Sequence, residues 1–186
     1  RLIGNLRNKA QGSFRADQQV NDFHLRIKQI TGHMFGIRTW NPGNGKRMLK
    51  MFVQELIQRG ADVNIRGRAG WTALMQAAQF GHLEIVKILL DRGAELNGQS
   101  VNGSTGLMFA ATNGHLETVR YLLDKAANAN LQDKLGRTAL ILATSENQEA
   151  IVKLLLEKGA NTKLANSSGR TAKDIAESEG FTSIAT

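Results

Sequence analysis

Gly70 to Asn97 reads GWTALMQAAQFGHLEIVKILLDRGAELN, and Gly103 to Asn130 reads GSTGLMFAATNGHLETVRYLLDKAANAN. The second stretch repeats the first at an offset of 33, which places Thr72 on Thr105, Leu74 on Leu107, Ala77 on Ala110, Gly81 on Gly114 and His82 on His115. Val86 and Leu90 fall on Val119 and Leu123. A further shift of 33 finds Gly136, Thr138, Leu140, Ala143, Val152, Leu155 and Leu156. So many coincidences at one period mark a chain built from one repeating unit, and a fixed period of this length means a solenoid.

The unit itself is helical. Thr72 opens a short segment to Phe80 whose apolar positions are Leu74, Met75, Ala77 and Ala78. The two small Ala residues admit a neighbouring helix at close range. Gly81 ends the segment, because glycine accepts the left-handed conformation found just past helix ends. Leu83 to Asp91 follows as a second helix with Leu83, Val86, Leu89 and Leu90 at helical spacing, and Gly93 stops it. Residues 94–103 are rich in Asn, Gly and Ser, which is turn chemistry. A helix pair with two apolar faces cannot bury both alone, so the copies must stack.

The pattern G-x-T-x-L-x-x-A-A-x-x-G-H-x-x-x-V-x-x-L-L-x-x-G-A resembles the ankyrin repeat from about Arg59 to Thr186. The resemblance implies an all-α, ankyrin-type α-solenoid of stacked helix-turn-helix repeats. The Pro and His of the family's T-P-L-H are Ala73 and Met75 in one copy, Gly106 and Met108 in the next, and Ala139 and Ile141 in the third. Losing that His removes a link between repeats, so a thinner polar network than the family's is expected.

Residues 1–36 read as a basic N-terminal extension and residues 37–186 as the repeat domain. Within it we expect an irregular first repeat at 37–66, full repeats at 67–99, 100–132 and 133–165, and a truncated capping repeat at 166–186. Asp17 to Ile30 predicts an amphipathic helix, since Val20, Phe23, Ile27 and Ile30 form one stripe. That stripe either covers the first repeat as a cap or docks on a partner. Thr39 stands 33 residues before Thr72, yet Asn41, Pro42, Gly43, Asn44 and Gly45 follow it. These predict a broken or replaced inner helix, and Gly43 to Arg47 a basic loop. It is not a phosphate loop, which needs a Gly at Trp40 and a hydroxyl residue at Arg47. Lys46 to Arg59 recovers an outer helix, with Leu49, Phe52, Val53, Leu56 and Ile57 on one face. In the third full copy Asn147 replaces the interhelix Gly, a substitution that Asn tolerates.

The formal charge is +8, and residues 1–59 carry all of it, with 11 Lys and Arg against 3 Asp and Glu. The rest has 13 of each. Cysteine is absent, which excludes disulfides and thiolate metal sites. No apolar run is long enough to span a bilayer, and no secretory pattern appears. The chain opens at Arg1 rather than Met, so a fragment, a processed product or part of a longer protein is expected. Asn102-Gly-Ser and Asn166-Ser-Ser match the glycosylation triplet and read as loop residues.

No catalytic constellation survives inspection. His82 and His115 recur at one repeat position and read as structural, bonding nearby backbone. His24 and His33 lack carboxylates at ligand spacing, so no metal is expected. The expectation is therefore no enzyme, no cofactor and no small-molecule substrate. By resemblance to the family, turn tips and the open side of the inner helices line a groove for a partner protein. These positions are Arg66, Arg68 and Trp71, then Gln76, Gln79 and Phe80, then Phe109, Thr112 and Asn113, then Arg137, Leu142, Ser145 and Glu146. Arg170 stands at a later tip. Trp71, Phe80, Phe109 and Leu142 are large and apolar there, and aromatic residues and Arg dominate interface energetics.

The basic segment supplies a second contact through Arg1, Arg7, Lys9, Arg15, Arg26, Lys28, Arg38, Lys46, Arg47 and Lys50. The expected role is an adaptor, scaffold or fixed subunit of a larger assembly, located inside the cell and first in the cytoplasm, with nucleus or an organelle as alternatives. The competing expectation is a nucleic-acid-associated subunit, as in a ribonucleoprotein, held by the basic third. That grip on phosphate would be steeply salt-dependent. A membrane-surface role for Arg1 to Gln11 is the lesser alternative.

Overall fold

The computed structural model describes residues 42–181, and the expectations for residues 1–41 and 182–186 lie outside it. The chain divides into two compact units, with the division between Arg68 and Ala69. In the first, helix α1 runs from Pro42 to Gln58. Pro42 to Gly45 is the start of this helix, so the basic loop expected at Gly43 to Arg47 is not there. The physical reason lies in the first turn. Its N–H groups have no intrahelical partners in any case, so a leading Pro loses nothing and brings a helical φ. Along the helix Leu49 and Val53 are buried, Phe52, Leu56 and Ile57 are half-buried, and Met48 and Met51 are exposed.

The second unit is a row of helix pairs. They are α2 (Ala73–Gln79) with α3 (Leu83–Asp91), α4 (Gly106–Thr112) with α5 (Leu116–Asp124), and α6 (Ala139–Ser145) with α7 (Glu149–Glu157). A last inner helix, α8 (Ala172–Glu179), follows. The inner helices α2, α4, α6 and α8 pack in succession, and the outer helices α3, α5 and α7 form a second row. Among the described residues there is no strand, only an isolated bridge between Ala165 and Thr171.

Each inner helix starts in the same way. Thr72, Thr105 and Thr138 accept a hydrogen bond from the backbone N–H three residues on, at 3.2 to 3.3 Å. This N-terminal cap satisfies a donor that the helix itself leaves open. The core then follows register. Val86, Val119 and Val152 are almost wholly buried, as are Leu89, Leu122 and Leu155. Ala78 and Ala111 are fully buried between inner helices, where small side chains let neighbouring backbones approach. Thr144 holds the same position and donates its hydroxyl to the Leu140 carbonyl at 2.9 Å.

Successive repeats are also tied by polar contacts. Tip backbones form a ladder in which Val101 N–H donates to Ala69 O, Lys134 N–H to Asn102 O and Ser167 N–H to Leu135 O, at 2.8 to 2.9 Å. The Gln99 amide donates to Gln132 O at 3.2 Å, and the Gln132 amide to Ala165 O at 2.9 Å. Asn97 and Asn130 accept from the N–H groups of Asn128 and Asn161. At the positions of the family's missing His, Met75, Met108 and Ile141 are buried and apolar. The ties therefore run through other residues.

The last inner helix carries a fuller cap. Thr171 accepts from Asp174 N–H, while the Asp174 carboxylate accepts from the Thr171 hydroxyl at 2.7 Å and the Thr171 N–H at 2.8 Å. The Thr171 hydroxyl bond first, then the backbone bond, holds the Asp174 carboxyl below its usual pKa. A carboxyl lowered in the folded state stabilises it fully above the unfolded carboxyl's value, about 4. That contribution is lost as pH falls through the folded value. We expect Asp174→Asn to narrow the difference in melting temperature between pH 7 and acid relative to the parent chain. Equal acid sensitivity in both would count against this cap.

Candidate binding groove

Because α2, α4, α6 and α8 pack in succession, residues 33 apart lie side by side and form rows along the inner helices. Trp71, Ser104, Arg137 and Arg170 form the row at the roots of the tips. Gln76, Phe109 and Leu142 form the middle row, and Phe80, Asn113, Glu146 and Glu179 the row at the helix ends. The four large apolar groove residues thus come from three rows rather than one. Phe80 is 54% exposed, while Trp71, Phe109 and Leu142 are half-buried.

Trp71 and Phe109 belong to neighbouring repeats, and their ring centroids are 4.2 Å apart at an interplanar angle of 37°. Such a pair contributes roughly 0.5–1.5 kcal/mol beyond the area it buries. Each ring fixes the other while part of the pair still faces water. The result is a rigid apolar platform that loses little entropy on contact with a partner.

The polar residues around it are less free than their types suggest. Thr112 donates its hydroxyl to Met108 O at 2.9 Å, and Ser145 donates to Ile141 O at 3.0 Å. The Asn113 amide donates to Phe109 O at 2.8 Å. The Arg137 guanidinium is held by Asp133, with Nε and Nη2 at 2.9 and 2.7 Å from Oδ2. The buried Asp133 carboxylate also accepts from the N–H groups of Leu135 and Arg137, so it clamps the whole tip. Arg170 is exposed, and Gln76 and Gln79 are half-buried. Arg66 and Arg68 are exposed in the first unit. In the basic segment, Lys46 and Arg47 are exposed on α1 and Lys50 is half-buried. Arg1, Arg7, Lys9, Arg15, Arg26, Lys28 and Arg38 lie outside the described residues.

His115 has a structural place. Its Nε2 lies 2.9 Å from the Gln79 carbonyl oxygen, in the preceding repeat. The ring occupies space that a side chain at Gly81 would fill, since a Cβ there would stand 2.5 Å from Nδ1. Among the described residues no group of three or more His, Cys, Asp and Glu could hold a metal ion, and no helix is long and apolar enough to cross a membrane. Asn102 is exposed at its tip, and Asn166 caps its own turn by accepting from the N–H groups of Ser168 and Arg170 at 3.0 Å.

A family model described as ankyrin repeats, in three copies, matches residues 46–133 and 107–186, well over half of the chain. The chain belongs to the ankyrin-repeat family. No curated protein sequence matches it. Ankyrin repeats are generally protein–protein interaction modules, and domains built from them are typically non-catalytic. In this ankyrin stack, three features escaped the sequence reading: the Trp71–Phe109 pair, the Asp133 clamp and the Gln99–Gln132 series. The last two left signals, an acid four residues before an Arg and a Gln recurring at the repeat period. The aromatic pair left none, because its partners stand at unrelated positions of different repeats.

Proposed function

We propose that this chain is a non-catalytic binding subunit, an adaptor or fixed member of a larger assembly, that holds a segment of a partner protein along the open side of its inner helices. The observation that carries the reading is the Trp71–Phe109 pair, half-buried and stacked across two repeats, with an exposed Phe80 at the end of α2. Soluble surfaces rarely set large apolar rings in contiguous patches without a use for them. Aromatic anchors of this kind account for most of the energy of a typical interface. The domain boundaries that go with this reading are a basic extension over residues 1–36 and a repeat domain over 37–186, with the extension as a second contact.

The test is capture from the native source by the full chain and by Trp71→Ala/Phe109→Ala. A partner bound by the groove should lose at least about tenfold in affinity, since two anchors of 1–2 kcal/mol each are removed. Retention of every captured partner at unchanged strength by the double variant would count against the groove. A second reading is favoured by one observation, the concentration of the entire net charge in residues 1–59. In it, the basic third holds the protein to nucleic acid. Phosphate binding falls steeply as salt rises, whereas affinity carried by the aromatic platform changes little, so a salt titration separates the two.

A further inference from the structure

We propose that the segment received by the groove carries two basic side chains spaced three residues apart, with an apolar residue three positions before the first; this rests on the groove reading above. The hydroxyl hydrogens of Thr112 and Ser145 are taken by carbonyls of their own helices at 2.9 and 3.0 Å, and one of the two Asn113 amide hydrogens goes to the Phe109 carbonyl at 2.8 Å. The Thr112 and Ser145 hydroxyls therefore turn only lone pairs outward. The faces of Trp71 and Phe109 add the negative side of an aromatic quadrupole, which attracts cations.

Carboxylates complete the pattern. The helix-end row finishes on Glu146 and Glu179, both exposed, and neither makes an ion pair among the described residues. Glu146 is the C-cap of α6 and Glu179 the last residue of α8. Helix C-termini carry partial negative charge and favour cations. The outer helices α3, α5 and α7 obey that rule, ending on Arg92, Lys125 and Lys158 as C-caps. Two of the groove helices break it. Two cations of the same repeats pair elsewhere, Arg137 with Asp133 at 2.7 Å and Lys173 with Glu177 at 3.8 Å. Two groove positions thus hold exposed acceptors that a cationic ligand would satisfy.

Spacing sets the pattern of the ligand. Packed helices stand about 8–10 Å apart, and a segment in the polyproline II conformation advances about 3.1 Å per residue and returns its side chains to the same side every third residue. Three residues therefore carry a segment from one inner helix to the next. An apolar side chain on the platform at α4 puts the fourth residue over α6 and the seventh over α8, from where the long side chain of an Arg covers the one helix turn to Glu146 and Glu179.

The probes are the peptide Leu-Ser-Ser-Arg-Ser-Ser-Arg and its reversal, with Gln or Glu replacing both Arg as controls, titrated calorimetrically into the full chain. At low salt one Arg peptide should bind about tenfold more tightly than its Gln counterpart, as two exposed charge pairs allow. Glu146→Gln/Glu179→Gln should abolish that difference while melting no lower than the parent, because it relieves carboxylates at helix C-ends. Equal binding of Arg and Gln peptides, both lost in Trp71→Ala, overturns the inference and leaves the groove standing. Binding by none of the peptides at millimolar concentration also overturns it, and the capture experiment then judges the groove by itself.

Discussion

Leu122→Ala will lower the free energy of unfolding by about 3–4 kcal/mol, measured by urea denaturation. Leu122 is fully buried on α5, in register with Leu89 on α3 and Leu155 on α7, which are buried to within 2%. Truncation removes the transfer energy of the side chain and leaves a cavity between repeats. In a stacked array each repeat depends on its interfaces with neighbours, so a defect in the middle copy weakens both junctions. The adjoining Leu123 is only half-buried, and its replacement by Ala should cost about half as much or less. If the two variants lose the same stability, the register assignment of the outer helices is wrong.

Gly136→Ala should cost about 3 kcal/mol, and Gly159→Ala only about 1–2 kcal/mol. Both glycines have left-handed backbones, with φ of 70° and 79°. An Ala in either place meets the same clash between its Cβ and the chain. They differ in their surroundings. A Cβ on Gly159 would touch nothing within 4 Å, whereas one on Gly136 would stand 3.0 Å from Ser167 N and 3.1 Å from the Asn166 backbone. Ser167 N–H is the group that donates to Leu135 O in the tip ladder, at 2.8 Å. The added methyl would therefore push apart two tips that the ladder holds together. The difference between the variants measures tip stacking with backbone strain subtracted. Equal losses would mean that the ladder contributes nothing measurable.

Much of this protein was decided by sequence alone, because a repeat states its structure several times. Thr at each helix start, Gly or Asn147 at each reversal and Leu or Val at helical spacing act over four residues or fewer, and local rules read them. The helix Leu83–Asp91 has the bounds that its spacing implies. Residues 42–45 misled the same rules, because Pro and Gly signal a break in a helix interior but not in its first turn. The tertiary structure alone decided what faces the groove and in what state. The Trp71–Phe109 contact joins different positions of different repeats, so no period announces it. The hydroxyl hydrogens of Thr112 and Ser145 and one amide hydrogen of Asn113 turn inward to helix carbonyls, and Arg137 folds onto Asp133. A sequence names the groups a surface owns. Which of their bonds remain open depends on neighbours that only folding brings within reach.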